Sequence, residues 1–266
     1  MSKIYVQPSD HYSFAGFLNF AKENRYNLEI ATFAYASVLD NDWERILKEH
    51  KHQLSDFGGM VSLHGVFQDI CVHSSDSKIA EASKERILRN LEIAIFLDAK
   101  YVVFHGNFNP LIRGERYIKN WVERNANFWS EVLKKYHVTV LLENLWEPRP
   151  EMFRKLLDHV GSPRLKICFD TGHANVFSKV PFKEWFAMLN PDIPYVHVND
   201  NKGEVDSELI LGDGIINWHE FTNILEDYQV NPKIVLEVGT LEKTKQSLKY
   251  LQMQNIYPFH VAQKDN

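Results

Sequence analysis

The chain has 266 residues, 44% of them hydrophobic and 24% charged, with a formal net charge of −5. That length and apolar share supply a sizeable core. The acidic balance excludes broad electrostatic capture of nucleic acid, which needs a basic surface, although a local basic groove stays open.

Two cysteines, Cys71 and Cys168, are too few for a disulfide framework and suit a reducing compartment. The amino-terminal MSKIYVQPSD lacks the apolar stretch of a signal peptide. No apolar run is long enough to span a bilayer, so a cytoplasmic protein without a membrane partner is expected.

Strand-like and helix-like segments alternate from end to end. Ile4–Val6 precedes an amphipathic run over Phe14–Glu23. Leu28–Phe33 reads as the second strand, and the helix after it opens near Asp40–Asp42, where acidic residues suit a helix amino terminus. Met60–Leu63 is the third strand, followed by a helix over Asp76–Leu97. Tyr101–Phe104 is the fourth, and the long helix over Arg116–Tyr136 then carries Ile118, Trp121, Val122, Phe128, Val132 and Leu133 near helical spacing. Val138–Leu142 is the fifth, with Pro150 in the first turn of the next helix, where a missing amide costs little. Lys166–Phe169 is a short buried strand; the chain turns through Thr171 and Gly172, and a helix covers Phe182–Leu189. Tyr195–Val196 leads to a helix over Trp218–Tyr228, and Lys233–Leu236 to a last helix over Leu241–Gln254.

Eight β-then-α units whose strands are apolar throughout imply a parallel sheet covered on its outer face. The predicted fold class is α/β, a single (β/α)8 TIM barrel domain over residues 1–266. No glycine-rich dinucleotide fingerprint and no GxxxxGK[ST] loop occurs.

In such a barrel the site lies at the carboxyl ends of the strands. The polar residues just after the apolar runs are His64, His105, Glu143, Asp170, His173, His197 and Glu237, every one a metal-capable type. A buried group of carboxylates needs cations to offset its desolvation, so a divalent-metal site is predicted. The loop from His197 to Gly214 adds Asp206 and Glu208, two apart and on one face of an extended segment. Gly212 and Gly214 read as a turn, Cys168 as an inert buried thiol, and His50, His52 and His137 as surface histidines without a role.

The segments FHGN (104–107), ENLW (143–146), FDTGHAN (169–175), HVNDNKGEVDSELILGDG (197–214) and LEVG (236–239) together resemble the xylose-isomerase-like TIM barrel superfamily. Within it the likeness is to the sugar phosphate isomerase/epimerase-like proteins; the superfamily also contains the endonuclease IV type of apurinic-site nuclease. The resemblance implies four shared metal ligands, Glu143, Asp170, His197 and Glu237. The nuclease type adds ligands matching His64 and His105, with Glu143 bridging, and a third metal held by His173, Asp206 and a histidine whose place is taken by Glu208. An oxygen ligand there tilts that site toward manganese or magnesium.

Three readings follow, the last of them a binding or regulatory barrel that has lost its chemistry, against which the presence of both Glu143 and Glu237 counts. In the isomerase or epimerase reading, a divalent metal (manganese, cobalt, magnesium or zinc) acts as Lewis acid and template for a carbohydrate. Glu143 and Glu237 serve as the acid/base pair, and His173 hydrogen-bonds a substrate oxygen. Phe67, Phe108, Trp146 and Trp185 form an apolar wall, and Arg113 and Arg149 are placed to meet a phosphate. In the nuclease reading, two or three metals generate a hydroxide and clamp a phosphodiester; the acidic balance counts against that partner.

Overall fold

Eight parallel strands pair in chain order and close on themselves: β1 (Ile4–Val6), β2 (Asn27–Ile30), β3 (Val61–His64), β4 (Tyr101–His105), β5 (Thr139–Glu143), β6 (Leu165–Asp170), β7 (Tyr195–Val198) and β8 (Lys233–Leu236), which returns to β1. The computed structural model describes residues 2–260. Around the barrel run α1 (Phe14–Asn24), α2 (Ala36–Leu39), α3 (Trp43–Gln53), α4 (Ser77–Phe96), α5 (Glu115–Lys135), α6 (Glu151–Val160), α7 (Thr171–Phe177), α8 (Phe182–Leu189), α9 (Trp218–Asp227) and α10 (Leu241–Met253). The predicted (β/α)8 architecture is the observed one.

The strands are mostly apolar because they have two buried faces, with Glu29 of β2 and Ser62 of β3 among the buried polar exceptions. Outward residues such as Val102, Phe104, Val140, Leu142, Ile167, Phe169, Ile234 and Leu236 belong to the large core shared with the helices. Inward residues Tyr5, Val103, Leu141, Cys168, Tyr195 and Val235 form a separate cluster that plugs the barrel. Side chains alternate along a strand, so the next inward layer lies two residues further on: Gln7, His105, Glu143, Asp170, His197 and Glu237. The plug is apolar and the layer above it is polar. That one step in period locates the site.

Helices pack by the same logic of spacing. α6 buries Met152, Phe153, Leu156 and Leu157 on one face and stops at Gly161, whose φ of 61° is the left-handed conformation of a helix end. α3 buries Ile46, Leu47 and His50 on one face. His50 is therefore not a surface histidine: it is 0% exposed, stacks on Phe14 at 3.7 Å and shares a hydrogen bond with Thr32 Oγ1. Thr171 and Gly172 are not a turn but the first residues of α7, capped by Asp170, whose side chain accepts the His173 amide. Among the described residues no helix is long and apolar enough to cross a membrane.

Candidate metal centre and active-site cavity

Strand register brings the polar layer together. His105 lies beside Glu143 across β4 and β5, and Asp170 beside His197 across β6 and β7. Glu143, Asp170, His197 and Glu237 each offer one ligand atom, and these atoms lie within 4.8 Å of one another; so do those of His64, His105 and Glu143. Glu143 belongs to both groups. The Nε2 atoms of His64 and His105 sit 3.4 and 3.3 Å from the same Glu143 Oε2. His64 is held in this pose by Nδ1, which donates to the Gly65 carbonyl at 2.9 Å and leaves Nε2 free to ligate.

Both oxygens of Glu143 and both ring nitrogens of His105 and His197 are buried without a well-aligned hydrogen-bond partner. Buried polar atoms are nearly always paired, and orphaned ones converging at one centre from nitrogen and carboxylate ligands fit a divalent ion. The charges around them conflict in the same way. Burial drives Asp170 well above the usual carboxylate range, with Glu143, Glu237 and Asp206 adding to the rise and His173 opposing it. Burial also works against ionised Glu143 and Glu237, but His197 overcomes it for both, with His105 helping for Glu143. Glu143 ends well below its ordinary value and Glu237 at about 2.

His197 sits at the centre of this arrangement. Its Nδ1 lies 2.8 Å from Glu237 Oε2 and 3.4 Å from Glu143 Oε2, while Nε2 lies 2.9 Å from Glu29 Oε1. Glu29 is 0% exposed. It accepts from the Gln7 amide at 3.0 Å, from the Tyr195 hydroxyl at 2.8 Å and from the Ser62 hydroxyl at 3.3 Å. The Gln7 amide also donates to Glu237 at 3.1 Å, tying the ligand layer to the layer below. A carboxylate behind the far nitrogen of a ligating imidazole fixes its tautomer and orientation.

The loops that carry the site are fastened from beneath. The Asn144 side chain donates to the Asp170 carbonyl and accepts from the Asp170 amide. Glu147, buried, accepts from the Leu145 and Phe108 amides, and burial lifts its carboxyl to about 7. Asp200 accepts from the amides of Asn201, Gly212 and Ile216 and from the Trp218 indole, which anchors the long loop after β7. That loop needs glycine at 212, where φ is 93°. Gly172 is equally constrained, because a Cβ there would come within 1.8 Å of Asn199 Oδ1.

Above the polar layer opens a cavity of about 970 Å³, with His64, His105, His173 and Glu237 among its lining residues. His173 Nε2 lies 3.2 Å from Asp206 Oδ2, and its Nδ1 lies 2.8 Å from the Asn144 carbonyl. Asp206 and Glu208 line the same cavity, as the loop spacing implied. Among the described residues, however, neither joins a group of ligand atoms compact enough to share one ion.

Comparison with known proteins places this architecture. Residues 26–254 match the xylose isomerase-like TIM barrel family. The chain belongs to that family. It is 28% identical over 209 residues to an uncharacterized protein of Methanocaldococcus jannaschii, covering 73% of this chain and 71% of that one. It is 24% identical over 222 residues to a probable endonuclease 4 of Mycoplasmopsis pulmonis, covering 76% and 77%. In three dimensions it resembles a D-tagatose 3-epimerase-like protein with a TM-score of 0.78 at 22% identity, covering 95% and 96% of the two chains.

Among residues assigned by resemblance to this xylose isomerase-like family, the wall divides. Phe67 and Trp146 line the cavity. Phe108 does not: it is 4% exposed and packs on Tyr117 and Trp121 in the core. Trp185 is fully buried against Phe169 and Phe153. Arg149 is exposed, 3.9 Å from Glu151 and outside the cavity lining, and Arg113 is exposed as well. Phe108, Arg113 and Arg149 sit in loops, which give a side chain no fixed direction, and Trp185 lies on the buried face of α8.

Sequence reasoning missed Gln7 and Glu29, although both leave a signal. Gln7 is the first polar residue after β1, the same rule that picked the other strand ends. Glu29 is a lone carboxylate inside an apolar strand, a position a charge occupies only when paired.

Proposed function

We propose that the protein is a divalent-metal-dependent isomerase or epimerase acting on a sugar. The observation that carries this reading is the convergence of Glu143, Asp170, His197 and Glu237 within 4.8 Å at the floor of the cavity. A divalent ion held by these four would polarise the substrate's oxygens as a Lewis acid. Glu143, from β5, and Glu237, from the end of β8, both approach the His197 Nδ1, at 3.4 and 2.8 Å, so two carboxylates converge on one side of the centre. Both are held ionised, as bases should be. Glu237, which keeps 18% of its side chain open, takes the proton from the carbon beside the carbonyl and releases it to solvent, while Glu143, ionised at rest, takes up a proton from solvent and delivers it to that carbon. His173, at the cavity surface, donates to a substrate oxygen.

Glu237→Gln should cut turnover by roughly 10²–10⁴-fold, the usual worth of a general base, while circular dichroism stays that of the wild type. The measurement is deuterium exchange from solvent into a panel of ketoses with manganese, cobalt, magnesium or zinc supplied. Exchange at the wild-type rate in that variant would remove Glu237 from the chemistry.

One observation favours a second reading, an endonuclease IV-like phosphodiesterase: His64 and His105 both converge on Glu143 Oε2, which suits a second ion bridged by that carboxylate. Cleavage of an abasic-site duplex by protein holding two or more zinc ions, with no ketose exchange, would establish it over the first.

A further inference from the structure

The substrate class of the proposed isomerase can be narrowed from what lines its cavity, an inference that rests on the isomerase reading. Charge is the first constraint. Asp69, Asp206, Glu208 and Glu237 face the cavity, and among the described residues no lysine or arginine lines it. Lys243, beside it, spends its ammonium on the Glu208 carbonyl at 3.1 Å. Ions bound at the floor would be compensated by Glu143, Asp170 and Glu237. A phosphate on the remote end of a substrate would then face four carboxylates with no lysine or arginine in the lining to pair it.

Shape and polarity are the second constraint. About 970 Å³ lies at the upper end of the roughly 300–1,000 Å³ that drug-sized ligands occupy. The segments after β2 and β3, although they also carry Asp69, supply a cluster of apolar side chains: Tyr35 meets Phe67 edge-on at 6.0 Å, and Phe67 lies 5.4 Å from the His105 ring. Ile79, in α4, and Trp146, after β5, also line the cavity and remain 49% and 42% exposed. Large apolar side chains left wet around a polar floor mark a surface awaiting an apolar group.

We propose that the substrate is an uncharged sugar carrying an apolar, ring-sized substituent remote from its carbonyl, bound with the sugar on the polar floor and the substituent between Phe67, Ile79 and Trp146. Neither a sugar phosphate nor a nucleic acid satisfies both constraints.

A matched trio tests this on the metal-loaded protein: D-fructose, 6-O-benzyl-D-fructose and D-fructose 6-phosphate, with affinity from calorimetry and turnover from solvent deuterium exchange. The benzyl ether should bind about tenfold or more tighter than D-fructose, and the phosphate ester more weakly than D-fructose. Trp146→Ala and Phe67→Ala should each collapse the benzyl-to-fructose affinity ratio toward one. The inference is overturned if the phosphate ester binds tighter than D-fructose, if the benzyl ether gains nothing, or if none of the three binds. Exchange separates it from the reading beneath it. Exchange on D-fructose without a benzyl preference sinks the substituent and keeps the isomerase. A benzyl preference lost in both variants, with exchange on none of the sugars, keeps the ligand class and sinks the isomerase.

Discussion

Two buried histidines on either side of the barrel wall meet opposite fates. His50 lies behind β2 among Phe14, Phe33 and Thr32, and burial, with His11 nearby, pushes its pKa down to about 3. His64 ends β3 inside the barrel, where burial pulls the same way but Glu143, with Glu237 and Glu29 beyond it, lifts its pKa to about 9. Desolvation is common to both, so the sign of the shift reports the charge of the neighbourhood. Outside the strands the chain packs a neutral imidazole as a hydrophobe; inside, it assembles carboxylates that ask for cations. The difference between core and site is one of facing direction.

The contrast breaks most visibly at Asp170. Asp170→Ala removes one of the four proposed ligands and also the cap of α7, whose loss costs about 1 kcal/mol. Its larger effect should be that manganese or zinc no longer raises the melting temperature, since a ligand stabilises only the state that binds it. Thermal shift with and without metal checks this. An undiminished metal-dependent rise would show that the ion binds elsewhere.

Glu29 sharpens the comparison one layer down. Without it the far nitrogen of His197 loses its carboxylate, and Glu29→Ala should weaken metal binding by about 10–100-fold, read by competition with a chromophoric chelator. Glu29→Gln keeps an acceptor oxygen and should lose less. Wild-type affinity in the alanine variant would leave Glu29 a purely structural group.

The smallest effect belongs to His50. Its pKa is about 3 folded against an ordinary 6.5, so between those values the unfolded chain binds a proton that the folded chain does not. Its contribution to stability is whole above about pH 6.5 and is lost as pH falls, at up to about 1.4 kcal/mol per pH unit, until about pH 3. Urea midpoints of wild type and His50→Phe between pH 7 and 5 should diverge by that slope, with the variant the flatter. Parallel curves would mean that His50 protonates in place.

Much of the site was legible because strand ends announce themselves. Where an apolar run stops at His105, Glu143 or Asp170, the strand has reached the barrel's rim and the side chain is already aimed inward by alternation. Loops carry no such rule. Phe108 and Trp146 follow strand ends at similar distances, yet one is folded into the core by Tyr117 and Trp121 and the other lines the mouth. His50 was hidden for a related reason: a histidine on a charged helix looks solvated until its spacing from Ile46 and Leu47 is counted.

Local pattern alone dictated the eight alternating units and the residue types at the rim, because periodicity and strand termination are properties of neighbours in sequence. Only closure of the barrel decided that Glu143 would stand in two groups at once, that Glu29 would back His197 from five strands away in the chain, and that the cavity would pair an acidic floor with a cluster of apolar side chains. Those outcomes depend on strand register and on which loop folds over which strand. Contacts between residues far apart in the chain fix them, and no local stretch of sequence encodes such contacts by itself.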